Sequence, residues 1–229
     1  MTRDELLRKK KTLIGFDYDN EESCIEALSS NWTNIMYIKN KTPRICLEAV
    51  KHNGCALEYV PDYLVTEEMK MIAVKSNGNA LKFIEQQTHD LCMEAVINDW
   101  SAIKYVKDQT KDICETAIDH DWRAIEFVRN QTYNLCIKAV SINGMALSLI
   151  REQTLIMCEI AVRNDYKAFE YAEHQSEDMI LEAVTKDGYL LKYALIQTPK
   201  ICMAALNHGW YALRYVHDDM LEEIAQRIR

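Results

Sequence analysis

The stretch at residues 110–131, TKDICETAIDHDWRAIEFVRNQ, decides the fold, because the chain is that stretch written about nine times. Thr42, Thr66, Thr88, Thr110, Thr132, Thr154, Ser176 and Thr198 each open a copy, and Asn20 opens a weaker one. The step between opening residues is 22, except for the 24 from Thr42 to Thr66. A short fixed period marks an array whose units each bury their apolar face against a neighbour. The expected fold is all-α: an α-solenoid of about nine 22-residue helix-turn-helix repeats with degenerate terminal caps.

Each copy reads as two short helices. The opening Thr is placed to cap the first, its hydroxyl accepting from an orphan N–H of the first turn. Pro43 and Pro199 follow at the first helical position, where a missing N–H costs nothing. Ile113, Cys114, Ala117 and Ile118 then give the i, i+1, i+4, i+5 spacing of a helical stripe. A turn centred on Asn or Asp follows in eight copies: Asn31, Asn53, Asn77, Asp99, Asp121, Asn143, Asp165 and Asp187, with Gly209 the exception. Each of these side chains is placed to cap a second helix, whose stripe is Ala124, Ile125, Phe127 and Val128. A polar turn, usually ending in Gln, leads to the next copy.

Three rows run the length of the array. Ala27, Ala49, Ala73, Ala95, Ala117, Ala139, Ala161, Ala183 and Ala205 form one; Ala56, Ala80, Ala102, Ala124, Ala146, Ala168 and Ala212 form another. Both are expected where helix backbones approach closely. The third is aromatic, with Tyr37, Tyr59, Phe83, Tyr105, Phe127, Tyr171, Tyr193 and Tyr215, and Leu149 the exception. It is expected to fill the core. Residues 20–217 form the array. Residues 1–19 read as an N-terminal cap or half repeat, with Leu6, Leu7, Leu13 and Phe16 its apolar residues. Residues 218–229 read as a C-terminal capping helix bearing Met220, Leu221, Ile224 and Ile228. The longer step after Tyr59 is expected to make a local bend or bulged loop.

Seven of the eight cysteines occupy the fifth place of a copy. Stacked helices lie roughly 8–10 Å apart, whereas a disulfide needs Cα atoms closer than about 7 Å. The cysteines therefore read as small buried hydrophobes. With an N-terminus lacking an apolar signal core, they point to an intracellular, reducing compartment. The net charge of −8 and pI near 5.3 argue against a general nucleic-acid binder. No apolar run is long enough to span a membrane.

The lines AVKHNGCALEYV at residues 49–60, AVKSNGNALKFI at 73–84 and AVTKDGYLLKYA at 183–194 resemble the domain-of-unknown-function 4116 family. The resemblance rests on an A-V-x-x-[ND]-G-x-A-L-x-[YF]-V core and extends over roughly residues 20–216. It implies tandem short helical repeats of a kind seen mainly in giant DNA viruses of amoebae and some bacteria. By that resemblance the compartment is the cytoplasm of a host or infected cell. It implies no catalytic residue and no cofactor. The chain departs from the core where Trp32, Trp100, Trp122, Trp210 and Tyr166 replace the glycine after the Asn/Asp turn.

The sequence offers little catalytic chemistry. The histidines are dispersed: His52, His120 and His208 share one place, just before the turn, in copies far apart. No zinc-type Cys/His spacing, phosphate-binding loop or nucleophile elbow occurs. The chain is therefore expected not to be an enzyme and to hold no metal or cofactor. Binding another protein is the function expected of it, with a modular nucleic-acid-binding repeat protein as the alternative. That alternative needs a recurrent code after the turn, where Thr33, Cys55, Asn79, Ser101, Arg123, Met145, Lys167, Tyr189 and Tyr211 show none. The copies opened by Thr132 and Thr154 turn apolar at outward places that are polar elsewhere: Tyr133, Ile142, Met145, Leu155, Ile156 and Ile160. These six, with Trp100 and Trp122 at the turns, are the candidate partner-binding residues.

Overall fold

The computed structural model describes residues 18–227, and every regular element among them is helical. Nine copies each hold a ten-residue α-helix: α1 Glu21–Ser30, α2 Pro43–His52, α3 Glu67–Ser76, α4 His89–Asn98, α5 Lys111–His120, α6 Tyr133–Ile142, α7 Leu155–Asn164, α8 Glu177–Lys186 and α9 Pro199–His208. A further helix, α10, spans Asp218–Arg227. The α-solenoid of 22-residue repeats is thus the observed architecture. The chain divides into two compact units, one ending at His120 and the other beginning at Asp121. Within each, consecutive copies pack α-helix on α-helix and second helix on second helix.

The α-helices start as the sequence predicts. The side-chain oxygens of Thr42, Thr66, Thr88, Thr154, Ser176 and Thr198 each accept from the backbone N–H three residues on, at 3.1–3.4 Å. Thr132 makes no such bond. Each helix stops at the Asn/Asp residue, whose backbone is extended. Its N–H donates to the carbonyl of the invariant-row alanine four residues back, as Asn143 does to Ala139 at 3.0 Å. Its side chain turns the other way and accepts from the N–H two residues on, at 2.9–3.0 Å in all eight copies. One residue thus ends the first helix and starts the second, satisfying orphan groups of both. Gly209 has no side chain to do so.

The second helix is not α. In every copy it is a six-residue 3-10 helix, such as Gly144–Leu149, closed by an N–H to carbonyl bond three residues back, as from Ile150 to Leu147. Three residues per turn bring i and i+3 into line. The first, fourth and seventh places therefore form one inward stripe, and the second and fifth point out. This geometry corrects one expectation. The aromatic row, at the sixth place, is not core: Tyr37, Tyr59, Phe83, Tyr105, Phe127, Tyr193 and Tyr215 are half-exposed and Tyr171 is exposed. The ring ends the helix at its rim, so the polar tip reaches water; the Tyr193 hydroxyl donates to Glu170 at 2.9 Å. The core consists of the stripes of both helices and the two alanine rows, all of whose members are fully buried.

Alanine and glycine set the spacing between copies. A Cβ on Gly144 would lie 2.2 Å from the carbonyl oxygen of Ala161, and one on Gly78 would lie 2.3 Å from that of Ala95. Asn98 and Asn164 then tie these glycines down. Asn164 accepts from the Gly144 N–H at 3.0 Å and donates to the Ser141 carbonyl at 2.9 Å. Asn98 does the same for Gly78 and Lys75, at 2.8 Å each.

The Gln before each Thr is a clamp between copies. Gln131 donates from Nε2 to the carbonyls of Ile125, in its own copy, and Leu149, in the next, at 2.9 and 3.0 Å. Its Oε1 accepts from the Arg151 N–H at 2.9 Å. Gln87, Gln153 and Gln197 repeat all three bonds at the same spacings. A single amide thus adds a second donor to a carbonyl that already closes its own 3-10 helix, satisfies a carbonyl at the end of the next one, and accepts from one loop N–H.

The fifth-place cysteines are free and buried. Three of the thiols point at clamps: Cys92 donates to Gln87 Oε1 at 3.5 Å, Cys158 to Gln153 Oε1 at 3.2 Å and Cys202 to Gln197 Oε1 at 3.5 Å. The longer step after Tyr59 is taken up by a short 3-10 turn, Asp62–Leu64. In α10, Ile224 is buried, Met220 half-buried and Leu221 exposed. The cap expected over residues 1–19 lies, for residues 1–17, outside the described residues, as does Ile228.

Candidate interaction surface

The outer edge of each copy is built by its helix start. The N-cap leaves the next two residues on the first turn, pointing away from the core. In the unit ending at His120 these places carry charge: Glu67 and Glu68 on α3, His89 and Asp90 on α4, Lys111 and Asp112 on α5. They pair locally, with His89 Nε2 at 2.7 Å from Asp112. Hydrogen bonding to Asp112 draws the His89 pKa up, and the Asp112 carboxyl is held down, first by the Thr110 hydroxyl and then by His89. Both groups are fully exposed, so solvent screens the pair.

In the unit beginning at Asp121 the same edge turns apolar on α6 and α7, while α8 again opens with Glu177 and Asp178. Tyr133 opens α6, and Leu155 and Ile156 open α7; all three are exposed. Because α6 and α7 pack side by side, Tyr133 and Leu155, at the same place of adjacent helices, are neighbours on one edge. The other candidates fall elsewhere. Ile142 is exposed at the far end of α6, and Met145, half-buried, follows it on the turn with its N–H held by Asn143. Ile160 is half-buried in mid-helix, beside a shallow depression shared with Arg163 and Asn164. Trp100 and Trp122 each open a 3-10 helix, one in each unit, and each is half-buried. Within the unit beginning at Asp121, Tyr133, Leu155 and Ile156 share the helix-start edge, and Ile142, Met145 and Ile160 lie off it.

Sequence reasoning missed two other exposed apolar groups. Leu195 and Ile196 occupy a turn where Glu85-Gln86, Lys107-Asp108 and Arg151-Glu152 stand in other copies. That substitution was itself the available signal. Trp210 and Leu213 are exposed in the ninth copy, at places whose residue types match buried or half-buried ones upstream, and Tyr211 is exposed as Tyr189 is before it. There, sequence carries no signal.

Among the described residues no three His, Cys, Asp or Glu side chains come together as a metal site. One polar cleft lies between the starts of α4 and α5, with Glu85, Gln87, His89, Cys92, Lys107 and Asp108 in its wall. Its groups are already engaged. Lys107 Nζ donates to the Glu85 carbonyl at 2.6 Å, and Gln87 is a clamp. Burial pushes the Cys92 thiol pKa up, away from the reactive thiolate. His52, His120 and His208 are all exposed at helix ends. No helix of the described residues is long and apolar enough to cross a membrane.

The family resemblance is borne out. The model of the family described as Domain of unknown function (DUF4116) matches residues 43–87, the copies opened by Thr42 and Thr66. No curated protein and no solved structure matches the chain.

Proposed function

We propose that the chain is a non-catalytic scaffold or adaptor that binds another protein along the helix-start edge formed by α6 and α7. The observation that carries this reading is the exposure of Tyr133, Leu155 and Ile156 together, at places that hold charge on α3, α4 and α5. A fold whose core is complete without these side chains gains nothing from leaving them in water, whereas a partner that covers them does. An aromatic anchor beside two aliphatic ones, with the polar remainder of the edge around them, has the make-up of an interface centre. The acidic balance of the chain disfavours a nucleic-acid partner.

The test compares affinity capture from native cell extract by the wild-type chain and by Leu155→Glu/Ile156→Glu, followed by direct titration of each recovered protein. Acidic residues already open α3 and α8, where they suit the helix dipole, so the double substitution leaves the fold intact. A partner that binds the wild-type chain directly and the variant at least about tenfold more weakly supports the reading. Equal binding by both chains removes this edge from it.

A further inference from the structure

Three copies place an Asn directly before the glycine that opens the 3-10 helix: Asn53-Gly54, Asn77-Gly78 and Asn143-Gly144. In an Asn-Gly pair the following backbone nitrogen readily attacks the side-chain carboxamide, since glycine puts no side chain in its way. In all three the Asn backbone is extended, with ψ between 111° and 122°, which turns that nitrogen away from its own carboxamide. Reaction therefore needs the turn to open, and whatever holds the turn shut sets the rate. Asn98 and Asn164, the last residues of α4 and α7, hold two of the turns. Each accepts from the glycine N–H of the preceding copy, at 2.8 and 3.0 Å, and donates to a carbonyl beside it, that of Lys75 or Ser141. At the same place beside Gly54, the last residue of α3, stands Ser76. Its hydroxyl donates to the Lys51 carbonyl at 3.2 Å and takes over that half of the tie only. A long bond from Asn77 Nδ2 reaches the Asn53 oxygen at 3.4 Å and leaves the Gly54 nitrogen untouched. Among the described residues the buried Gly54 N–H has no hydrogen-bond partner.

We infer that Asn53 is a site of spontaneous deamidation in the folded chain, and that Asn98 and Asn164 protect its two counterparts, Asn77 and Asn143. The Gly54 nitrogen gives its proton to water and bonds to Cγ of Asn53. The Cγ–Nδ2 bond breaks, and Nδ2 leaves as ammonia with a proton taken from water. Water then adds to either carbonyl of the succinimide ring, and ring opening leaves an aspartyl or an isoaspartyl residue. Nothing is oxidised or reduced, and water is the only co-reactant. The two products have opposite fates in this fold. Asp99, Asp121, Asp165 and Asp187 already cap the 3-10 helix from this place in other copies. The aspartyl chain therefore keeps its fold and gains one negative charge. Isoaspartate instead adds a methylene to the backbone beside Gly54, where even a Cβ would lie 1.9 Å from the Ala73 carbonyl oxygen. That product wedges apart the copies opened by Thr42 and Thr66.

The experiment incubates the folded 229-residue chain at mildly alkaline pH and follows the three Asn-Gly pairs by peptide mapping and mass spectrometry, with isoaspartyl products resolved by chromatography. The same chain unfolded in guanidinium chloride gives the rate of each pair without structure, and the ratio of the two rates is its protection. Asn53 is expected to be at least about fivefold less protected than Asn77 or Asn143, the worth of the missing hydrogen bond. Ser76→Asn supplies the absent carboxamide and is expected to raise the protection of Asn53 to that of the other two. Asn98→Ser removes the tie on Gly78 and is expected to speed the reaction of Asn77, while Asn143 reacts as in wild type. Each variant carries at its helix end a residue that the neighbouring copy already has there, so the fold is retained, and circular dichroism checks this. Protection of Asn53 equal to or above that of the other two pairs, an Asn53 rate indifferent to Ser76→Asn, or an Asn77 rate indifferent to Asn98→Ser would overturn the inference.

Discussion

Gln131 shows how one side chain joins two repeats. Its amide uses both faces, donating to Ile125 and Leu149 and accepting from Arg151. Truncation takes the side-chain partner from the Leu149 carbonyl and the Arg151 N–H in a half-buried seam, while the Ile125 carbonyl keeps the Val128 N–H. Gln131→Ala is expected to lower unfolding free energy by about 1–3 kcal/mol, the cost of stranding such groups. Gln131→Glu is expected to be at least as damaging at neutral pH, because a carboxylate keeps the Arg151 bond but faces two carbonyl oxygens with no donor. Urea titration of both variants beside wild type checks the order; a Glu variant as stable as wild type would show that the donor side of the clamp is idle. The clamp was not legible in sequence. A Gln before Thr suits any polar turn, and its partners lie six residues back and 18–20 ahead, distances that only the stack brings together. The cysteine row, by contrast, was read correctly as buried and free, since seven positions in one register leave no pair close enough to bridge.

At the scale of the element, the N-caps separate signal from sequence identity. Thr132 and Thr154 open consecutive copies with the same residue, yet only Thr154 bonds its helix, to Met157 at 3.3 Å. Thr154→Ala is therefore expected to cost about 1 kcal/mol and Thr132→Ala only a few tenths. Thermal unfolding of the two single variants measures the difference, and equal losses would mean that Thr132 caps in solution too. The 3-10 character of the second helix lies beyond what spacing conveys. Apolar places three, four, six and seven fit an α-helical stripe as readily. The choice follows from six residues confined between an Asn/Asp cap and an extended residue, with an adjacent copy on the inner stripe. That choice also places the aromatic row at the rim, where a 3.6-residue period would not have put it.

At the scale of the whole molecule, the buried thiols couple stability to alkaline pH. Burial pushes the thiol pKa values of Cys46, Cys92, Cys136 and Cys158 up, and that of Cys202 to about 11, with nearby Asp219 adding to burial in the last case. In the unfolded chain these thiols ionise near pH 8.5. Their contribution is thus fully present below that pH and lost as pH rises toward the folded values, because the unfolded state releases its protons first. The melting temperature is expected to fall between about pH 8.5 and 11, more steeply in wild type than in Cys202→Ala measured against its own neutral-pH value. Superimposable pH profiles would show that Cys202 ionises equally in both states. Because the effect recurs in five of the nine copies, it belongs to the array rather than to one site.

The sequence by itself determined the helical-repeat class, the register of nine copies, most of the helix caps and the two alanine seams. Each rests on local chemistry repeated at a fixed period: a hydroxyl or carboxamide next to orphan N–H groups, and a small side chain wherever backbones meet. Tertiary structure alone decided which polar groups became inter-repeat clamps, that the aromatics stand at the rim, and which outward apolar residues share an edge. It also left Leu213 open where eight equivalent residues are sealed. The physical reason is that exposure and long-range hydrogen bonding are set by what stacks next to a copy. Two copies alike in sequence differ in exposure when what packs against their 3-10 faces differs.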